Sequence, residues 1–148
     1  MCRKGPSEEK RDIPFADDAG IAAMIEQFEA CRWPFAHWSH RCHLAAAAWY
    51  LRRWPDDVAL EKVRSGIQLY NRTCGTGEGY HETITRLFLR TVRDRLNRAD
   101  SNESLVSIVN GLARTRTVAW VREYYSEELL ASPEAIASWV EPDLKSPT

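Results

Sequence analysis

Three of the four histidines lie in two short segments that could carry chemistry. His40 and His43 stand in WSHRCHL (residues 38–44), and His81 stands in GYHET (residues 79–83). The i, i+3 spacing brings the His40 and His43 rings together on one helical face, and His81 adds a third imidazole from the next long helix. Neutral imidazole is the commonest metal ligand, and three protein ligands leave a position open for water or substrate. The sequence predicts a divalent metal site, zinc or iron, ligated by these three histidines.

Two neighbours of His81 are candidates for proton transfer, namely Glu82 and Tyr80. On a helical wheel Glu82 falls opposite the apolar face, in a stripe with Arg86, Arg90 and Arg93, whereas His81 falls inside that face. An i, i+4 ion pair between Glu82 and Arg86 is therefore the simpler interpretation of that carboxylate.

Further side chains near the histidines complete the candidate site. Trp38 and Tyr50 are predicted to wall a substrate pocket, because aromatic rings line most small-molecule sites. His37 precedes the helix and is a candidate fourth ligand. Cys42 falls on the far side of the helix from His40, which argues against a mixed Cys/His zinc site.

The pattern is not specific enough to fix the function. HxxH is short, and it lacks the HExxH context that places a general base between two ligands. We predict a small metalloprotein that acts as an enzyme on a small molecule. The alternatives are a non-catalytic small-molecule-binding or regulatory module, and a metal-free enzyme with a histidine base. Buried histidines bonded only to backbone or tyrosine are the structural alternative, and the sequence does not decide whether the chain is an enzyme.

Composition excludes several classes of partner. The 148 residues carry 20 basic and 21 acidic side chains, a net charge of −1, so a nucleic-acid or acidic-membrane binder is not expected. No apolar run reaches the length of a membrane span. The four cysteines form no CxxC pair and are interpreted as reduced thiols, which predicts a cytoplasmic protein. The oligomeric state cannot be inferred.

Apolar spacing predicts helices throughout the chain. The first begins after Asp17 or Asp18, the second runs from a Ser39 N-cap to about Arg53, the third follows Asp56, and the fourth runs from about residue 80 to 98. A fifth covers 105–112, a further helical piece 117–125, and a Ser-Pro-Glu signature opens a short helix over 132–140. We predict an all-α domain over 17–148, a compact bundle of four to five helices with short terminal helical additions, preceded by a mobile arm over 1–16.

The two histidine segments, together with SPEA (132–135) and WVEPDL (139–144), carry a resemblance. From about residue 33 onward the chain resembles a family of small bacterial helical proteins with the motifs W-[S/T]-H-x-x-H-L and G-Y-H-E-T. The resemblance implies no particular activity. It implies that His40, His43, His81 and Glu82 belong together, and it leaves His37 outside the pattern.

Overall fold

The computed structural model describes residues 10–146, and all regular secondary structure in that range is helical. Five helices of 11 to 19 residues form the body, and three of four or five residues follow them, which confirms the predicted all-α bundle with short terminal additions. A 3-10 turn at Phe35–His37 joins the first two helices. The helices are α1 Asp18–Glu29, α2 His40–Arg53, α3 Asp56–Cys74, α4 Glu82–Asn97, α5 Leu105–Thr115, α6 Val118–Val121, α7 Glu127–Leu130 and α8 Pro133–Ala137.

Helix α2 is the central element, because it packs against α3, α4 and α5. Its middle is a run of four alanines, 45–48, all fully or almost fully buried. Such small side chains let neighbouring helices approach closely on several sides at once. The bundle is therefore built around the helix that carries His40 and His43.

The two aspartates at the start of α1 cap two different helices. Asp17 is the N-cap of α1, and its carboxylate accepts the N–H of Gly20 at 2.8 Å. Asp18 instead accepts the N–H groups of Leu105 and Val106 at 3.2 and 2.7 Å, at the first turn of α5. These N–H groups have no partner within their own helix, so Asp18 fixes the start of α5 against α1.

The C-terminal segment is fastened to α4 by one buried side chain. Thr83 is completely buried, and its Oγ1 lies 2.7 Å from the carbonyl oxygens of both Ala135 and Ser138. The same oxygen accepts the N–H of Val140 at 3.2 Å. A buried hydroxyl needs such partners, and here they all come from α8 and the residues after it. Helix α8 starts as predicted, with Ser132 as N-cap and Pro133 at the first position, but ends at Ala137.

The predicted N-terminal arm is described only from residue 10, since 1–9 lie outside the described residues. Residues 10–16 have no regular secondary structure, yet they contact the bundle. Asp12 forms an ion pair with Arg41 at 2.9 Å, and the N–H of Arg11 donates to the carbonyl oxygen of Ala36 at 2.7 Å.

Two further expectations concern the cysteines and the membrane. Cys31 and Cys42 are free thiols, as predicted, but Cys74 is in a disulfide, so the prediction of four reduced cysteines is wrong. That correction removes one premise of the cytoplasmic prediction, which stays a prediction. Within residues 10–146, no helix combines the length and the apolar character needed to cross a bilayer.

Candidate functional site

The three motif histidines, His40, His43 and His81, line one cavity. We call it the histidine cavity; it has a volume of about 260 Å³ and lies between α2, α3, α4 and α6. Apart from the three imidazoles and Tyr80, its wall is mainly apolar. The apolar lining residues are Ala47 from α2, Val63 and Ile67 from α3, Ile84, Phe88 and Leu89 from α4, and Val118 and Val121 from α6.

His43 is held by the backbone of its own helix. Its Nδ1 lies 2.9 Å from the carbonyl oxygen of Ser39, which can only accept, so Nδ1 carries the proton and donates. The ring packs on Trp38 at 4.4 Å between centroids. Burial lowers the pKa of His43 to about 4. The imidazole is therefore neutral at physiological pH, with Nε2 left as a hydrogen-bond acceptor.

His40 is held by the chain that leads into α6. Its Nε2 donates to the carbonyl oxygen of Arg116 at 2.6 Å, and its ring meets the Phe88 ring edge-on at 4.7 Å. Burial lowers the pKa of His40, so this imidazole is also biased to the neutral form. Its remaining acceptor is Nδ1.

His81 has both ring nitrogens engaged. It is the N-cap of α4, which begins at Glu82 and not at about residue 80 as predicted. Nδ1 accepts the N–H of Ile84 at 3.2 Å, and Nε2 donates to the carbonyl oxygen of Leu130 at 2.7 Å. The side chain caps one helix and at the same time ties down α7.

The predicted metal site is wrong. Among residues 10–146, no group of three or more His, Cys, Asp and Glu side chains is arranged to hold a metal ion. The physical reason lies in hydrogen bonds to the backbone. Each of the three imidazoles donates one N–H to a carbonyl oxygen, and the second nitrogen of His81 accepts the N–H of Ile84 as a helix cap. The histidines share a cavity but do not offer three lone pairs to one point.

Glu82 lies on the buried side of α4, not in the exposed stripe that the helical wheel predicts. Its side chain is only 5% exposed. Arg64 donates through Nε to Oε1 at 2.9 Å and through Nη2 to Oε2 at 2.6 Å, while Arg86 Nε donates to Oε2 at 2.6 Å. The Arg86 pair matches the simpler interpretation of the sequence. Arg64, on α3, was not foreseen.

Tyr80 completes the set of donors around Glu82. Its hydroxyl donates to Oε1 at 2.7 Å. Arg64 above all, with help from Tyr80 and Arg86, lowers the pKa of Glu82 to about 2, whereas burial and this hydrogen bond raise the pKa of Tyr80 to about 12. Both proposed proton-transfer groups are thus held in one ionisation state across the physiological range.

Comparisons of the chain with protein-family models, curated proteins and solved structures find no match. The motif resemblance therefore stays a prediction.

The two predicted pocket aromatics lie elsewhere than on the cavity wall. Trp38 is buried behind His43, stacked on Phe28 at 4.7 Å. Tyr50 donates to Glu29 Oε2 at 2.6 Å and lines a different depression. His37, the candidate fourth ligand, sits in the 3-10 turn with its ring edge-on to Trp33 at 6.2 Å, outside the cavity wall.

The wall is completed by residues that the sequence did not single out. Val118 and Val121 come from α6, about eighty residues after the histidine pair of α2. The sequence predicts a helical piece over 117–125, but nothing in its spacing indicates which element that piece covers.

Proposed function

We propose that the protein binds, without a metal, an uncharged and mainly apolar small molecule in the histidine cavity, and that this ligand donates a hydrogen bond to an imidazole. The observation that carries the proposal is an apolar cavity containing two neutral histidines, each with one ring nitrogen fixed on a carbonyl oxygen. Concave, largely apolar sites with few polar groups are typical of small-molecule binding.

The tautomers define what the ligand must offer. His43 presents Nε2 and His40 presents Nδ1 as acceptors, and both rings are disfavoured from taking a proton. A cationic ligand finds no carboxylate on the wall, and an anionic one meets lone pairs. A hydroxyl or N–H group on an apolar body fits both the lining and the acceptors.

Volume limits the size of the ligand. At about 30 Å³ for each water molecule of the liquid, the 260 Å³ cavity corresponds to about eight or nine waters. Since a cavity of about 150 Å³ holds benzene, a single aromatic ring with one polar substituent fits and leaves room for further groups.

Binding is favoured over catalysis by a histidine base. A general base works best with a pKa close to the working pH, and the pKa of His43 is lowered to about 4. An imidazole that stays neutral is a persistent acceptor and a weak base.

The test compares phenol with toluene, which share a ring but differ in the donor. Each is titrated into 15N-labelled protein and followed through backbone amide shifts. We expect saturable shifts for residues of the cavity wall, with phenol bound about two- to tenfold more tightly, the worth of one net hydrogen bond. His40→Phe and His43→Phe each keep a ring and remove one acceptor, so the variant that removes the acceptor used by the ligand should abolish that preference.

His37→Phe is the matched control, because it makes the same exchange outside the cavity wall. It should leave both affinities unchanged. The proposal is refuted if neither compound gives saturable shifts up to about 10 mM, a concentration at which a ligand of about 1 mM Kd is mostly bound.

A further inference from the structure

A second cavity lies against other residues of α4, and its lining includes four arginines. It has a volume of about 240 Å³ and is enclosed by α4, the end of α5 and residues 116–124. We call it the arginine cavity. Its charged and aromatic lining comprises Arg90, Arg95, Arg98, Arg116, Trp120 and Tyr124, with Asp94 as the acidic member.

Three of the four arginines form no ion pair with a described residue. Arg95 is paired with Glu103, and its Nη1 donates to Oε1 at 3.0 Å. Within residues 10–146, no carboxylate lies within 4.0 Å of the guanidinium groups of Arg90, Arg98 or Arg116. Four arginines and a single carboxylate, Asp94, line the arginine cavity, so it carries an excess of positive charge.

Two other arginines of α4, by contrast, do form ion pairs. Arg86 is bound to Glu82, and Arg93 is bound to Asp56 at 2.6 Å. Their ion pairs account for their positions. Among the arginines of the arginine cavity, Arg95 is paired with Glu103 and Arg90 lies over the Trp139 ring at 5.0 Å, whereas Arg98 and Arg116 have no ion pair among the described residues.

Arg116 supplies an independent sign of a missing partner. Its Nε is buried and has no hydrogen-bond acceptor among the described residues. A buried donor without an acceptor costs about 1 to 3 kcal/mol of folding free energy, and more if the group is charged. The guanidinium carbon lies 5.2 Å from the Trp120 ring, so an aromatic face holds the side chain without satisfying its donors.

We propose that the arginine cavity binds the oxyanion, a phosphate or a carboxylate, of a small molecule with a planar ring. Arginine matches both anions in geometry because its N–H groups form a planar fork. Trp120 and Tyr124, whose rings meet edge-on at 5.2 Å, offer apolar surface for the ring of the ligand. This site is separate from the histidine cavity and does not depend on the function proposed for it.

The test uses phenyl phosphate and benzoate, with benzyl alcohol as the uncharged probe, in calorimetric titrations at constant ionic strength. Arg116→Gln removes the unpartnered donor. Arg114→Gln is the matched control, because it makes the same change of charge at an exposed residue that does not line the cavity. Circular dichroism establishes that both variants are folded.

We expect at least one of the two anions to bind saturably and benzyl alcohol not to bind. Arg116→Gln should lower the affinity for the bound anion at least about tenfold, which is the lower end of the contribution of a hydrogen bond to a charged group. Arg114→Gln should lower that affinity less than about twofold. The Arg116 Nε–H signal in a 15N correlation spectrum should shift on binding. The proposal is overturned if neither anion binds, or if both variants lose affinity equally, since diffuse surface charge would then be the cause.

Discussion

The interaction of Glu82 with its four donors should be the largest single electrostatic contribution to the stability of this fold. The partners of Glu82 lower its pKa from 4.5 to about 2. At about 1.4 kcal/mol for each pKa unit the ionised carboxylate is worth about 3 kcal/mol. Because the Arg64 and Arg86 side chains are 28% and 41% exposed, solvent screening reduces this to about 2 kcal/mol.

The perturbation is Glu82→Gln, which keeps the shape and removes the charge. Glu61→Gln is the matched control, since Glu61 also pairs with Arg64, at 2.7 Å, but is 65% exposed. Urea titrations at about pH 7 should give a loss of about 2 kcal/mol in the unfolding free energy for Glu82→Gln and about 0.5 kcal/mol or less for Glu61→Gln.

The pH dependence gives a second readout with a fixed sign. The folded pKa of Glu82 lies below the unfolded value, so its stabilisation is fully present above about pH 4.5 and is lost as the pH falls towards 2. The difference between the parent protein and Glu82→Gln should shrink over that window. Equal losses for Glu82→Gln and Glu61→Gln, or a difference that does not change with pH, would refute the reasoning.

Two further predictions concern side chains that fasten the C-terminal segment. Thr83→Val removes a buried hydroxyl with three backbone partners, so the unfolding free energy should fall by about 1 to 3 kcal/mol and limited proteolysis within 132–146 should accelerate; unchanged cleavage would contradict this. His81→Ala removes the N-cap of α4 and the bond to Leu130, so urea unfolding should show a loss of about 1 to 2 kcal/mol, against about 0.5 kcal/mol or less for His37→Ala.

The helices themselves could be predicted because their signals are local. The apolar stripe Ile21, Met24, Ile25 and Phe28 is buried along its whole length, and the second helix runs to Arg53 as its proline-containing boundary indicates. The spacing of apolar residues in 117–125 does not define the bounds of a helix as clearly. This stretch was predicted as one helical piece, but only Val118–Val121 is regular helix.

Side-chain partners far apart in sequence could not be predicted. The wheel placed Glu82 on the exposed face because it considers α4 alone, whereas Arg64, 18 residues earlier, draws the carboxylate inward. Likewise, His40 and His81 are bonded to carbonyl oxygens 76 and 49 residues away. The sequence shows that an imidazole faces inward, but it does not show which backbone group meets it.

These hydrogen bonds divide the motif residues into those with all polar atoms bonded and those with one free ring nitrogen. His81, Glu82 and Thr83 have their polar groups fully engaged with helix ends, arginines or the C-terminal segment, so their presence follows from the fold alone. His40 and His43 each retain one acceptor beside an apolar cavity. Neither acceptor is bonded to a donor among the described residues, and neither is a buried atom left without a partner, so both are accessible and add no bond to the fold. The retained acceptors are therefore the part of the motif that stability does not explain, and they are where binding should be sought.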